Sequence, residues 1–126
     1  HLPDWLEKPD CIIPVPLHPK RLRERGFNQS QELAQRISRN MHLKVDTVCC
    51  NRSVYTEPQT GKDAKQRKRN IKGAFVFENR RQYRHVAIFD DVVTTGSTVS
   101  ELARIIKKAG VERVDVWSIA RAEKNF

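Results

Sequence analysis

Apolar residues along this chain fall into short blocks, and their spacing alternates between strand-like runs and helical periodicity. Asp10 to Pro16 carries Cys11, Ile12, Ile13 and Val15 and predicts a short buried strand that the prolines bring to a close. From Asn28 or Ser30 the spacing becomes helical. Leu33, Ala34, Ile37 and Met41 share one face, with Gln31, Glu32, Gln35, Arg36 and Arg39 outside. Val45 to Arg52 predicts a second strand. Tyr55 to Lys65 contains Pro58 and Gly61, few apolar residues and no period, which fits a mobile loop. The continuation to Lys72 is a helix candidate that is polar nearly all round, so tertiary contacts or a ligand would have to stabilise it, and Gly73 ends it. Ala74 to Glu78 predicts a strand, Asn79 to Tyr83 a polar turn and Arg84 to Asp90 another strand. The clearest helix is Ser97 to Ala109. Val99, Leu102, Ala103, Ile105 and Ile106 form its apolar stripe, Lys107 and Lys108 sit in its last turn, and Gly110 is its C-cap. Arg113 to Ala120 closes the series as a buried strand.

Strand, helix and strand within about thirty residues is the pattern of a right-handed βαβ unit. The expected fold class is therefore α/β, a mostly parallel twisted sheet with helices on both faces, its ligands beyond the carboxyl ends of the strands. With 126 residues, the chain suits one domain spanning 1–126. It begins with His1, which reads as a piece of something longer. No apolar run approaches the roughly 18 to 20 residues of a membrane span, and the start has no signal-peptide pattern, so membrane insertion is not expected and a cytoplasmic location is. Cys11, Cys49 and Cys50 are odd in number and form no C-x-x-C, which speaks against a disulfide framework or a zinc site and for small hydrophobes on strands.

The net charge is +9, and its placement is more informative than its size. Residues 18–25 carry a net +3 and residues 62–72 a net +5, leaving the remainder almost neutral. Two cationic segments need anionic partners. A polyphosphate substrate and a nucleic-acid backbone both qualify.

The most chemical stretch is Val86-Ala87-Ile88-Phe89-Asp90-Asp91-Val92-Val93-Thr94-Thr95-Gly96-Ser97-Thr98. An apolar strand delivers two adjacent carboxylates, acceptors suited to vicinal ribose hydroxyls. The small hydroxyl and glycine turn then opens a helix, where outward-facing N–H groups and the helix dipole favour a dianionic phosphate. A carboxylate that merely caps the next helix is the plainer reading of an isolated Asp-Asp. The full stretch closely resembles the phosphoribosyl pyrophosphate (PRPP) motif of type I phosphoribosyltransferases. That resemblance implies that Asp90 and Asp91 hold the ribose and help to place Mg²⁺, mostly through substrate and water, and that Thr94, Thr95, Gly96, Ser97 and Thr98 hold the 5′-phosphate.

Two further segments resemble the ComF subgroup, bacterial phosphoribosyltransferase-like proteins associated with DNA uptake, with which the GntX proteins belong. The first is Pro14-Val15-Pro16-Leu17-His18-Pro19-Lys20-Arg21-Leu22-Arg23-Glu24-Arg25-Gly26-Phe27-Asn28-Gln29. By this resemblance Leu17, His18, Pro19, Lys20 and Arg21 form the pyrophosphate loop, and backbone N–H groups with Lys20, Arg21 and Arg25 neutralise a diphosphate. A solvated basic loop before a helix is the alternative. The second runs from Gln59 to Phe75 as Gln-Thr, a basic stretch and Arg-x-x-Asn-x-x-Gly-x-Phe, with Arg67 as the first Arg and Asp63 or Ala64 where relatives carry Leu. It implies a flexible loop, including Gln59, Thr60, Lys65, Arg67 and Arg69, that closes over substrate, excludes water and brings cations onto the leaving group. A solvated face or a nucleic-acid patch is the alternative there.

The resemblance covers nearly the whole chain, lacking only the N-terminal Cys-rich, zinc-ribbon-like segment usual in the family. It implies Mg²⁺-dependent transfer of a phosphoribosyl group from PRPP with release of pyrophosphate. A non-catalytic PRPP or nucleotide sensor, or a module binding single-stranded DNA or a competence protein, is the second reading, and a homodimer stays open. Only Phe27 accompanies the basic segments, which counts against base stacking. The absence of G-x-G-x-x-G, G-x-x-x-x-G-K and H-E-x-x-H turns the argument away from dinucleotide, Walker and zincin chemistries. No hood that would select an acceptor base is recognisable.

Overall fold

The computed structural model describes residues 7–17, 19–52, 74–93 and 96–121, so the expected loop at Tyr55 to Lys65, the polar helix after it and its end at Gly73 lie outside the described residues. Its centre is a parallel sheet of three strands in the order β1-β4-β5: β1 is Cys11–Pro14, β4 His85–Val93 and β5 Arg113–Arg121. Pro14 tolerates the last position of β1 because the ladder continues past it through the Val15 N–H, which donates to the Phe89 carbonyl at 2.9 Å.

β4 is covered on both sides, which explains its continuous apolar run. Cys11 and Ile13 share one face with Val86 and Ile88; there they pack with Val99, Leu102 and Ile106 of a helix, α3, spanning Ser97–Lys108. Ile12 and Phe89 point the other way and pack with Ala34, Leu33 and Ile37 of α2, Gln29–Met41. Each fully buried aliphatic or Phe side chain contributes roughly 1.5–3 kcal/mol. The expected parallel α/β sheet with helices on both faces is therefore what forms, an arrangement consistent with a type I phosphoribosyltransferase-like fold. β4 runs three residues beyond its expected end.

Helix termini are set by the Asn28 side chain and by residues of positive φ, namely Gly26, His42, Gly96 and Gly110. Asn28 is the α2 N-cap; its Oδ1 accepts from the Gln31 N–H at 3.1 Å while its Nδ2 donates to the Val15 carbonyl at 3.1 Å. α3 ends at Ala109 rather than on Gly110, which occupies the next position at φ 105°; the Gly110 and Val111 N–H groups close back on Lys107 and Ile106. α2 ends at His42, at φ 55° without a glycine.

Two expectations are corrected. Pro19, Lys20, Arg21 and Arg25 lie not on a loop but on a short helix, α1, Pro19–Arg25, because Pro19 presets the first helical turn and has no N–H to leave unpaired. Gly26, at φ 81°, ends it with its N–H on the Leu22 carbonyl at 2.7 Å. The strand expected over Val45 to Arg52 is broken in two. Val45 makes only an isolated bridge to Ile12, and β2 is Cys50–Arg52, antiparallel to β3, Phe75–Phe77, in a separate ribbon. Asp46 breaks it by accepting from the Val48 and Cys49 N–H groups at 2.9 and 3.0 Å, so those amides are lost to the ladder.

Candidate functional site

β1 and β4 are parallel neighbours, so the elements that follow them, the basic α1 and α3 with its Gly96 cap, start from the same end of the sheet, where β4 also carries Asp90 and Asp91. The first turn of α2 arrives there as well. Ser30 Oγ lies 3.3 Å from Asp90 Oδ1 and 3.3 Å from Asp91 Oδ1, and it accepts the Asp91 N–H at 3.2 Å. The sheet and α2 thus bring together an adjacent acidic pair and a serine some sixty residues away in sequence.

Burial pushes the Asp90 carboxyl up to about 6, and the hydrogen bond and negative charge of Asp91 push the same way, while Ser30 opposes them. Adjacent carboxylates at a half-buried strand end repel one another and gain from anything that replaces lost water: hydroxyl donors of a sugar, or a hydrated cation. Among the described residues no group of three or more His, Cys, Asp or Glu comes together to hold a metal ion. Two carboxylates suit Mg²⁺, which keeps several waters and takes its other ligands from substrate oxygens.

Gly96 caps α3 at φ 80° and ψ −1°, the left-handed region that a side chain makes costly, and among the described residues a Cβ built on it would meet nothing within 4 Å beyond its chain neighbours. Its backbone is therefore open to a close ligand. Ser97 and Thr98 occupy the first helical positions and are half-buried, whereas Thr94 and Thr95 lie outside the described residues. Leu17 and Arg21 are half-buried; Pro19, Lys20 and Arg25 are exposed, and Arg25 lies over the Phe27 ring at 5.8 Å. His18, Gln59, Thr60, Lys65, Arg67 and Arg69 lie outside the described residues.

Sequence reasoning missed Ser30 as a site residue and the reach of the Arg21 charge to Arg52. The sequence offers Ser30 only as a helix cap, a role Asn28 takes. The Arg52 guanidinium sits over the Phe75 ring at 5.2 Å, and burial followed by the Arg21 charge holds it below its ordinary range. A cation closing an apolar run was the one available signal.

The cysteines are free thiols. Burial pushes Cys11 and Cys50 up to about 12 and Cys49 upward too, which leaves them protonated and unreactive. An open groove of 720 Å³ beside the ribbon, lined by Lys44, Asp46, Val48, Val76, Arg80 and Arg81 among others, shares no residue with the acidic end. Among the described residues, no helix is long and apolar enough to cross a membrane.

No family model matches the chain. It is 43% identical over 120 residues to Competence protein F of Haemophilus influenzae, an alignment covering 93% of this chain and 52% of that protein. It is also 46% identical over 116 residues to DNA utilization protein YhgH of Escherichia coli K12, with 92% and 51% covered. Competence protein ComFC of Bacillus subtilis is 28% identical over 120 residues, with 92% and 46% covered. The chain spans about half the length of the curated relatives it matches. Over nearly its whole length the chain is thus similar to part of proteins named for competence and DNA utilization.

Proposed function

We propose that this domain binds PRPP in the service of DNA uptake or use, and transfers its phosphoribosyl group to a nitrogen nucleophile with release of pyrophosphate. The observation that carries the reading is the sequence Asp90, Asp91, then a left-handed Gly96 at the N-terminus of α3, all at the carboxyl end of the central strand. The role in DNA uptake rests on the names of the relatives.

Asp90 and Asp91 accept from the ribose hydroxyls and fix the sugar's orientation. The N–H groups at the start of α3, with Ser97 and Thr98, hold the 5′-phosphate, so the ligand is anchored at both ends of its ribose. Lys20, Arg21 and Arg25 offset the negative charge that grows on the departing diphosphate as the C1–O bond breaks, and the incoming nitrogen completes the exchange at C1. Asp90 and Asp91 would help to hold Mg²⁺ bound with PRPP, and the ion would supply further charge neutralisation. Chemistry of this kind needs positioning and electrostatics rather than a strong base, and the site offers those.

A binding module is the second reading, favoured by α1, which buries none of its seven residues and exposes Lys20, Arg23 and Arg25. Calorimetric titration with PRPP and Mg²⁺, then with a short single strand of DNA, separates the two. Saturable PRPP binding supports the first. DNA binding without PRPP binding overturns it.

A further inference from the structure

Ser30 is the buried polar side chain that ties α2 to the acidic pair, and its surroundings leave it no other task. Only 6% of its surface is exposed, although it belongs to the first turn of a helix whose outer face is polar. It does not cap α2, since Asn28 does, and it makes no back bond to a helical carbonyl of the kind Ser38 makes to Gln35 at 2.8 Å. Its oxygen instead accepts the Asp91 N–H, which fixes where the hydroxyl stands, and its single proton faces two carboxylate oxygens at equal distance.

The backbone around it is clamped. Asn28 Nδ2 donates to the Val15 carbonyl, and the Val15 N–H donates to the Phe89 carbonyl, so the start of α2 is tied through β1 to the residue just before Asp90. Ser30 therefore approaches the pair from a rigid support. Two adjacent carboxylates with no shared donor rotate apart to relieve repulsion; a hydroxyl placed between them offers each the same partner and holds both oxygens on one side.

We infer that Ser30 is a positioning residue that holds the Asp90 and Asp91 carboxylates in the relative orientation needed to grip a pair of vicinal sugar hydroxyls. The inference rests on the sugar-phosphate reading above and adds to it a specificity: Ser30 governs discrimination between a ribose and a 2-deoxyribose phosphate, not affinity for the phosphate.

The test compares ribose 5-phosphate with 2-deoxyribose 5-phosphate, probes with the same phosphate that differ in one hydroxyl. Their affinities are measured by calorimetry for the wild-type chain, Ser30→Ala, Ser30→Cys and, as a matched serine on the same helix, Ser38→Ala. Thermal melts establish that each variant is folded; Ser30→Cys keeps the side chain's shape with a weak donor, so it serves if Ser30→Ala does not fold. The wild type and Ser38→Ala should prefer the ribose ligand by about tenfold or more, the worth of one good hydrogen bond to a charged acceptor. The Ser30 variants should lose most of that preference while binding the deoxy sugar as tightly as before. General loosening of the domain would weaken both ligands together and leave the ratio standing. A wild-type preference that persists undiminished in a folded Ser30 variant overturns the inference alone. A wild-type chain that binds neither sugar phosphate overturns the parent reading and this inference with it.

Discussion

The Tyr83 hydroxyl donates to Asp46 Oδ2 at 2.6 Å, joining the turn before β4 to the residue that interrupts the strand expected over Val45 to Arg52. Asp46 also accepts two backbone N–H groups, so one buried carboxylate satisfies three donors from two distant segments. Tyr83→Phe should destabilise the domain by about 1–3 kcal/mol, and Asp46→Ala by more, since it strands two amides and a phenol. Chemical denaturation of the two variants measures both losses.

Acid should act through the same residue. Burial raises the Asp46 carboxyl, but the Tyr83, Val48 and Cys49 hydrogen bonds outweigh it and leave the group below its ordinary value of 3.8. Asp10 is lowered as well, by the Arg84 and His85 N–H groups at 2.8 and 3.1 Å. A carboxylate depressed on folding contributes stability that is fully present above its unfolded value and is lost as pH falls through its folded value. Stability should therefore decline below about pH 4, and Asp46→Asn should flatten that decline in melts recorded from pH 5 to pH 2.

Asp90 has the opposite sign. Its folded value of about 6 lies above the unfolded 3.8, so ionisation costs stability as pH rises between the two. Asp90→Asn should make the protein more stable at pH 7, by on the order of 1 kcal/mol after solvent screening of a half-buried group, with the gain vanishing near pH 4. The same change, most clearly with Asp91→Asn, should weaken ribose 5-phosphate binding at pH 7 by tenfold or more. Melts and calorimetry on one sample read the two effects in opposite directions.

Gly96→Val should lower stability by about 1–2 kcal/mol through its left-handed backbone and abolish sugar-phosphate binding. Because a Cβ at this position meets no atom of the described residues beyond its chain neighbours within 4 Å, the conformation and the approaching ligand carry the loss. Gly96→Asn, which visits that conformation more readily, should keep more of both. Retained binding in a folded Gly96→Val protein removes the phosphate-turn assignment.

Arg21→Gln should weaken PRPP binding while changing ribose 5-phosphate binding little, because only PRPP carries the diphosphate that α1 is assigned. A parallel titration with single-stranded DNA distinguishes this from a general loss of positive charge. Equal weakening of DNA binding by every cation neutralised, together with a shallower salt dependence, marks a nucleic-acid surface instead.

The elements that local chemistry specifies could be read from the residues. The α3 stripe from Val99 to Ile106 and the apolar run of β4 repeat at periods that belong to one kind of structure each, and the side chains that bury them are their own signal. The acidic pair and the Gly96 turn are likewise contiguous, so their chemistry appears in a single stretch. What only tertiary structure decided involves partners far apart in sequence. Asp46 breaks its strand because Tyr83 and a turn claim its carboxylate, the Arg21 charge on α1 acts on Arg52 of β2, and Ser30 meets Asp91 across sixty-one positions. Pro19 sits between these cases: its place at a first helical position is a local property, yet the segment does not announce a helix because basic residues with no apolar period leave no face to recognise. Periodicity records which side of an element is buried, whereas a hydrogen bond between distant residues leaves no repeat in the chain and exists only once the strands and helices have packed.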